Sequence, residues 1–172
     1  MTQHIFLTGK KHIGKSTLIQ KILDDYKKTS DGFLTVRTKN YLKDQYSVHM
    51  YHLKEKEFPN KSNLLFLCGK TDEHTADTFD RLGCNILSMC SDCSLIVMDE
   101  LGPHEADAAL FRKKILNLLD GQTPILGVLQ EPAESFWPEI VNHPKVEIIT
   151  ISEDNRNDRA LLNYIQCKIS SH

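Results

Sequence analysis

The chain has 172 residues, 40% of them hydrophobic, and a net charge of −2; that is long enough to bury a core and short enough to form one domain, 1–172. The near-neutral balance excludes an overall basic field for nucleic acid or an anionic membrane, and no apolar run approaches the ~20 residues of a membrane span. Five cysteines is an odd count, and a strand within a few residues of the first methionine leaves no room for a secretory segment, so reduced thiols and a cytoplasmic protein are expected.

In chain order, His4-Ile5-Phe6-Leu7-Thr8 reads as a buried strand, and Gly9-Lys10-Lys11-His12-Ile13-Gly14-Lys15-Ser16-Thr17 follows it. Leu18, Ile19, Ile22 and Leu23 then recur at helical spacing. Thr29-Ser30-Asp31-Gly32 is turn chemistry leading into a strand over Phe33–Arg37. Ser47–Leu53 is a second strand, with Val48, Met50 and His52 on one face and His49, Tyr51 and Leu53 on the other, so a hairpin is expected across 33–53. Leu64–Leu67 is a short strand, and Asp77–Cys90 reads as helical segments broken at Gly83. Ser94–Met98 is a buried strand. Ala106–Leu119 is a helix whose apolar stripe is Leu110, Phe111, Ile115, Leu118 and Leu119, ended by Gly121. Pro124–Leu129 is the next buried strand, Ser135–Asn142 a short helix, Val146–Ile151 a strand and Asp158–Ile169 a closing helix. Short apolar strands bounded by helices predict a three-layer α/β P-loop domain: a mainly parallel sheet covered on both faces, with an antiparallel hairpin addition.

Two segments carry chemistry. Gly9–Thr17 matches the P-loop pattern G-x-x-x-x-G-K-[ST] in the required strand–loop–helix order. Its glycines let backbone N–H groups curl around a phosphate, and the helix that starts there adds its positive end. Lys15 is the expected contact to the β- and γ-phosphates and Ser16 a ligand of Mg²⁺. The second segment is Leu95-Ile96-Val97-Met98-Asp99-Glu100, four apolar residues tipped by acids, as in a Walker B strand. Asp99 is the expected Mg²⁺ partner, and Glu100 the group that orients or deprotonates water. The adjacent pair favours hydrolysis over binding alone.

These residues resemble the THEP-type nucleoside-triphosphatase family, which includes the cancer-related NTPase. The resemblance rests on His4–Gly9 with Gly14–Ile19, on Asp31–Thr35, on Asp99-Glu100-Leu101-Gly102 with Glu105 and Phe111, on Ile125–Val128 and on Ser152–Asn157. It implies slow, Mg²⁺-dependent hydrolysis of the γ-phosphate of ATP, GTP and other NTPs, with loose base choice. The chain differs from the family at Lys10-Lys11-His12, where proline and glycine are usual. It differs again after Thr35, where Val36-Arg37-Thr38-Lys39 stands in place of a run to a glutamate and then an arginine, so that the acid is missing and Lys39 or Arg37 approximates the arginine, and at Pro103-His104, in place of lysine and methionine.

Other features take plainer readings. Cys90-Ser-Asp-Cys93 has no second ligand pair at zinc spacing and reads as ordinary reduced cysteines. Arg112-Lys113-Lys114 reads as a solvated helix face, and Trp137 as a packing anchor. Arg156, in the loop after the last strand, is a candidate contact to base or ribose. A small-molecule or nucleotide kinase and a switch module with residual hydrolysis remain the alternatives. Few arginines and no arginine cluster count against the kinase. Oligomeric state stays open, with a monomer favoured.

Overall fold

The structure is a computed structural model and describes residues 3–70 and 73–171. Among these, seven strands form one sheet in the order β4-β3-β2-β5-β6-β1-β7. The strands are β1 (His4–Thr8), β2 (Ser30–Leu42), β3 (Gln45–His52), β4 (Leu64–Leu67), β5 (Leu95–Leu101), β6 (Ile125–Leu129) and β7 (Val146–Thr150). Pairings β2–β5, β5–β6, β6–β1 and β1–β7 are parallel, whereas β3 is antiparallel to both β2 and β4. The α-helices are α1 (Lys15–Asp25), α2 (Thr75–Ser88), α3 (Pro103–Ala106), α4 (Ala109–Asp120), α5 (Ala133–Phe136), α6 (Pro138–Val141) and α7 (Arg159–Ser170). Asp158 caps α7 through its carboxylate, which accepts from the Ala160 N–H at 2.8 Å.

Strand alternation sorts the core into two layers. Ile5 and Leu7 of β1, Leu95 and Val97 of β5, and Leu126 and Val128 of β6 face α1 and α7, meeting Leu18, Ile19, Ile22, Ile165 and Ile169. Phe6, Ile96, Met98, Ile125 and Leu129 face the other way, against Phe79, Ile86 and Leu87 of α2, Phe111, Ile115 and Leu119 of α4, and Ile140 of α6. Each fully buried side chain of this size contributes about 1.5–3 kcal/mol. The two layers thus hold α1 against the sheet face formed by β1, β6 and β5, with β5 two strands from β1.

Four expectations are corrected by packing. Helix α2 runs unbroken through Gly83, because a Cβ there would collide with the Phe111 ring, so the glycine is a contact point between α2 and α4. Leu110 is 64% exposed, which leaves Phe111, Ile115 and Leu119 as the buried stripe of a helix that starts at Ala109 after the separate turn α3. The expected helix over 135–142 is split into α5 and α6 at Trp137-Pro138, since proline cannot continue the helix and Trp137 is drawn into the core. Arg112 is not a solvated charge. Its guanidinium donates to Glu139 through Nε and Nη2, and to the Ala106 and Phe136 carbonyls through Nη1, while lying 4.6 Å from the Trp137 ring centre.

Candidate active site

The loop from β1 to α1 has the conformation its glycines permit. Gly9 (φ 133°) passes so close to the Ile151 carbonyl that no Cβ fits, and Gly14 (φ 110°) caps α1 in the left-handed region. His12 also has a positive φ, 63°, although it carries a side chain. A residue held there stores about 1–3 kcal/mol of strain, which the surrounding loop must maintain. The Lys15 ammonium bends back over the loop and donates to the Gly9 carbonyl at 2.6 Å and the Lys10 carbonyl at 2.8 Å. Burial pushes this ammonium below its ordinary pKa, against the pull of Glu100, Glu131 and Asp99, and Lys11 adds repulsion.

Strand β5 supplies the acids through an irregularity. Its register on β6 shifts between Met98 and Leu101, and Glu100 within that shift has φ 67°. A bulge of this kind re-aims side chains next to a site. Asp99, 4% exposed, accepts from the Ser16 hydroxyl at 3.0 Å and from the Thr35 backbone N–H. Glu100 opens onto the cleft, where its carboxylate accepts from the Gln130 amide at 3.1 Å. Two residues on, the Gly102 N–H donates to the buried Glu105 carboxylate at 2.9 Å, and the Trp137 indole N–H donates to the Gly102 carbonyl at 3.1 Å. The segment after the acids is therefore pinned from both sides.

Burial raises the Asp99 carboxyl to about 7, with the Ser16 hydrogen bond opposing the rise and the Glu100 charge adding to it. Burial likewise raises Glu105 to about 7, against its backbone hydrogen bonds and helped by Glu100. His104 is held below its ordinary value, first by burial and then by Lys11, and its ring lies 4.5 Å from that of Phe66. The hydroxyl of Thr35, buried and facing the same cleft, has no hydrogen-bond partner among the described residues. Ser16, Asp99 and Thr35 thus gather hard oxygen donors of the kind Mg²⁺ takes.

The cleft has a volume of about 710 Å³. Lys11, His12, Gly14, Lys15, Ser16 and Thr17 of the P-loop and the start of α1 line it, together with Val48 of β3, Phe66 of β4, Cys68 and His104. Glu100 and Glu105 also border it. Ile13, by contrast, turns its side chain into the core beside Leu18 and contributes backbone alone. Gly9 and Lys10 serve as acceptors for Lys15. Arg156 is exposed in the loop after β7 and is outside the residues lining the cleft. Arg37 does line it, with its guanidinium 4.0 Å from the Tyr46 ring centre. Arg37, Phe66, His104 and Gln130 were not readable as one site, because four separate strands and turns deliver them. The position of Gln130 directly after a parallel strand was the available signal.

Strand, glycine loop, helix and an acid-tipped strand two places along the sheet define a P-loop nucleotide-binding protein of the α/β class. The sequence profile of the NTPase family matches residues 4–165, and the chain belongs to that family. Among its relatives, the nucleoside-triphosphatase THEP1 of Thermotoga maritima is 27% identical over 94% of this chain and 92% of its own. The human cancer-related nucleoside-triphosphatase is 28% identical over 99% of each chain. The crystal structure of THEP1 from Aquifex aeolicus shares the fold, with a TM-score of 0.72 at 19% identity over 94% of this chain and 96% of that one. The solution structure of the human protein has a TM-score of 0.66 at 25% identity, covering 99% of this chain and 100% of that one.

Proposed function

We propose that the protein holds a nucleoside triphosphate such as ATP or GTP along the P-loop and passes its γ-phosphoryl group to water. Membership of the NTPase family supports a nucleoside-triphosphate phosphohydrolase. The observation that carries the site is the joining of Ser16 to Asp99, with Glu100 beside them in a cleft headed by Lys15. Lys15 and the loop N–H groups bind the phosphates. Ser16 and Asp99 would hold Mg²⁺, which when bound neutralises charge on the phosphate oxygens. Glu100, held by Gln130, orients the attacking water and receives its proton, and Arg37 is the cation nearest in role to an arginine finger. Phosphoryl transfer needs positioning and charge stabilisation more than covalent chemistry. Arg37 is engaged with Tyr46, so the expected turnover is slow. Loose base choice follows the family resemblance, and the cytoplasm is the compartment that reduced cysteines and a Mg-nucleotide substrate favour.

One observation favours a second reading, transfer to a small-molecule acceptor: besides the P-loop and the acids, the 710 Å³ cleft is lined by Val48, Phe66 and Cys68, apolar surface that an attacking water does not require. A phosphate-release panel across NTPs, with and without Mg²⁺ and with no acceptor, separates the two. Release that needs Mg²⁺ supports hydrolysis, whereas release only after an acceptor is added supports transfer. As a binding control, Lys15→Ala removes a charge-assisted contact of ~1.5–3 kcal/mol. Nucleotide affinity should then fall by about one to two decades in calorimetry.

A further inference from the structure

At the opposite end of β5 from the acids, Cys90 opens a 3₁₀ turn (Cys90–Asp92) and Cys93 follows it directly. Side chains three residues apart in such a turn eclipse one another. Here the two thiols are close enough for each to shift the ionisation of the other. The Cys93 thiol also approaches the Cys90 carbonyl at 3.3 Å, and the Cys90 thiol the Ile86 carbonyl at 3.4 Å. Exposure divides the pair: Cys90 is buried and Cys93 is half-buried. Three other groups face them, Asp31 at the start of β2, Lys54 just after β3 and Tyr26 at the end of α1.

We propose that Cys90 and Cys93 are a reversible dithiol site that exchanges with low-molecular-weight disulfides, Cys93 being the attacking sulfur and Cys90 the resolving one. The asymmetry follows from the local chemistry. Cys93 is the more exposed of the two, and the neighbouring Cys90 thiol brings it down to about 7, with burial and the Asp31 charge opposing and the Leu95 N–H assisting. Cys90, given the same partner and deeper burial, is pushed up. A turn of this kind thus prepares one thiolate and keeps its neighbour protonated until needed.

The exchange balances without any other reagent. The Cys93 thiolate attacks one sulfur of a small disulfide, RSSR; a bond forms between the Cys93 sulfur and that sulfur, the RS–SR bond breaks, and RS⁻ leaves to take a proton from water. Cys90 then loses its proton to solvent and attacks the Cys93 sulfur, releasing the second RS⁻. Two protein thiols are oxidised to one disulfide, and RSSR is reduced to two thiols.

The test uses the whole native protein and oxidised glutathione as the probe, with acid quench, alkylation and peptide mapping. Expected is an intramolecular disulfide between Cys90 and Cys93, reversed by reduced glutathione. Cys90→Ala should instead accumulate a glutathione adduct on Cys93. Cys93→Ala should slow modification of Cys90 on the order of tenfold or more. Circular dichroism of each variant verifies folding, and mapping of the unaltered protein stands without them. A pair that stays fully alkylatable in the native state, or that closes only in denaturant, overturns the proposal. So does preferential reaction at the exposed Cys167.

Discussion

Asp31 and Asp99 are buried to nearly the same degree, 5% and 4% exposed, at opposite ends of adjoining parallel strands. Burial alone pushes both carboxyls up, yet they end on opposite sides of the ordinary value. Asp31 is met by the Lys54 ammonium at 2.8 Å, the Gly32 N–H at 2.8 Å and His52 at 2.6 Å, and these together hold its carboxyl low. Asp99 has a hydroxyl and one N–H, has Glu100 for a neighbour, and rises to about 7. Similar solvent exposure thus hides two differences, the denser enclosure of Asp99 by protein and the cations that touch Asp31, and together they separate an acid that holds the fold from one prepared to receive a cation.

The comparison is broken most strongly at Glu100. Glu100→Gln should keep nucleotide binding and slow turnover by roughly 10²–10⁴-fold, the usual share of a positioned acid–base group. Single-turnover phosphate release together with calorimetry checks both halves, and turnover equal to the parent would place the catalytic role elsewhere.

Neutralising the two aspartates should have opposite effects on the ligand-free protein. Asp31→Asn strips His52 and Lys54 of their anion and should lower Tm by roughly 5 °C or more. Asp99→Asn removes an uncompensated buried charge and should raise Tm above neutral pH while abolishing Mg²⁺-dependent turnover. Calorimetric scans of both at pH 8 decide the matter; shifts of the same sign would refute the distinction drawn between them.

The pH dependence sharpens it. Asp99 and Glu105 stand at about 7, against roughly 4 in an unfolded chain. Their contribution to stability is therefore complete below about pH 4 and is lost as pH rises through about 7. Asp31 is held low, so its contribution is present above about pH 4 and is lost as pH falls through its folded value. Denaturant unfolding of the ligand-free protein should show stability increasing as pH is lowered from 8 to 5. Glu105→Gln should flatten part of that slope.

The smallest effect is expected at Arg156. Exposed and outside the cleft lining, its replacement by alanine should change nucleotide affinity less than about tenfold, or ~1.4 kcal/mol. A larger loss in titration calorimetry would show that the loop after β7 reaches the base or ribose.

The strand–loop–helix order and the acid-tipped strand were legible in the sequence because each is local: spacing, glycine and a run of apolar residues suffice. The same holds for β1, β6, β7 and α7, whose bounds follow apolar periodicity. What escaped is what only packing creates. Gly83 reads as a break until Phe111 is laid across it, and Arg112 reads as solvated until α6 brings Glu139 to it. The register shift that sends Asp99 to Ser16 and Glu100 to the cleft has no pattern of its own, and Phe66 reads as part of an apolar strand until the His104 ring meets it at a tilt.

Trp137 is the chain's one tryptophan, and its indole N–H is tied to the carbonyl of Gly102, which borders the cleft. The protein therefore has an optical probe wired to its working parts. A fully enclosed indole emits at short wavelength. Any rearrangement of the turn after Glu100 alters that hydrogen bond or the nearby Arg112 guanidinium, and with them the emission. Stopped-flow fluorescence of the unlabelled chain can thus time nucleotide arrival and product departure separately from the chemical step.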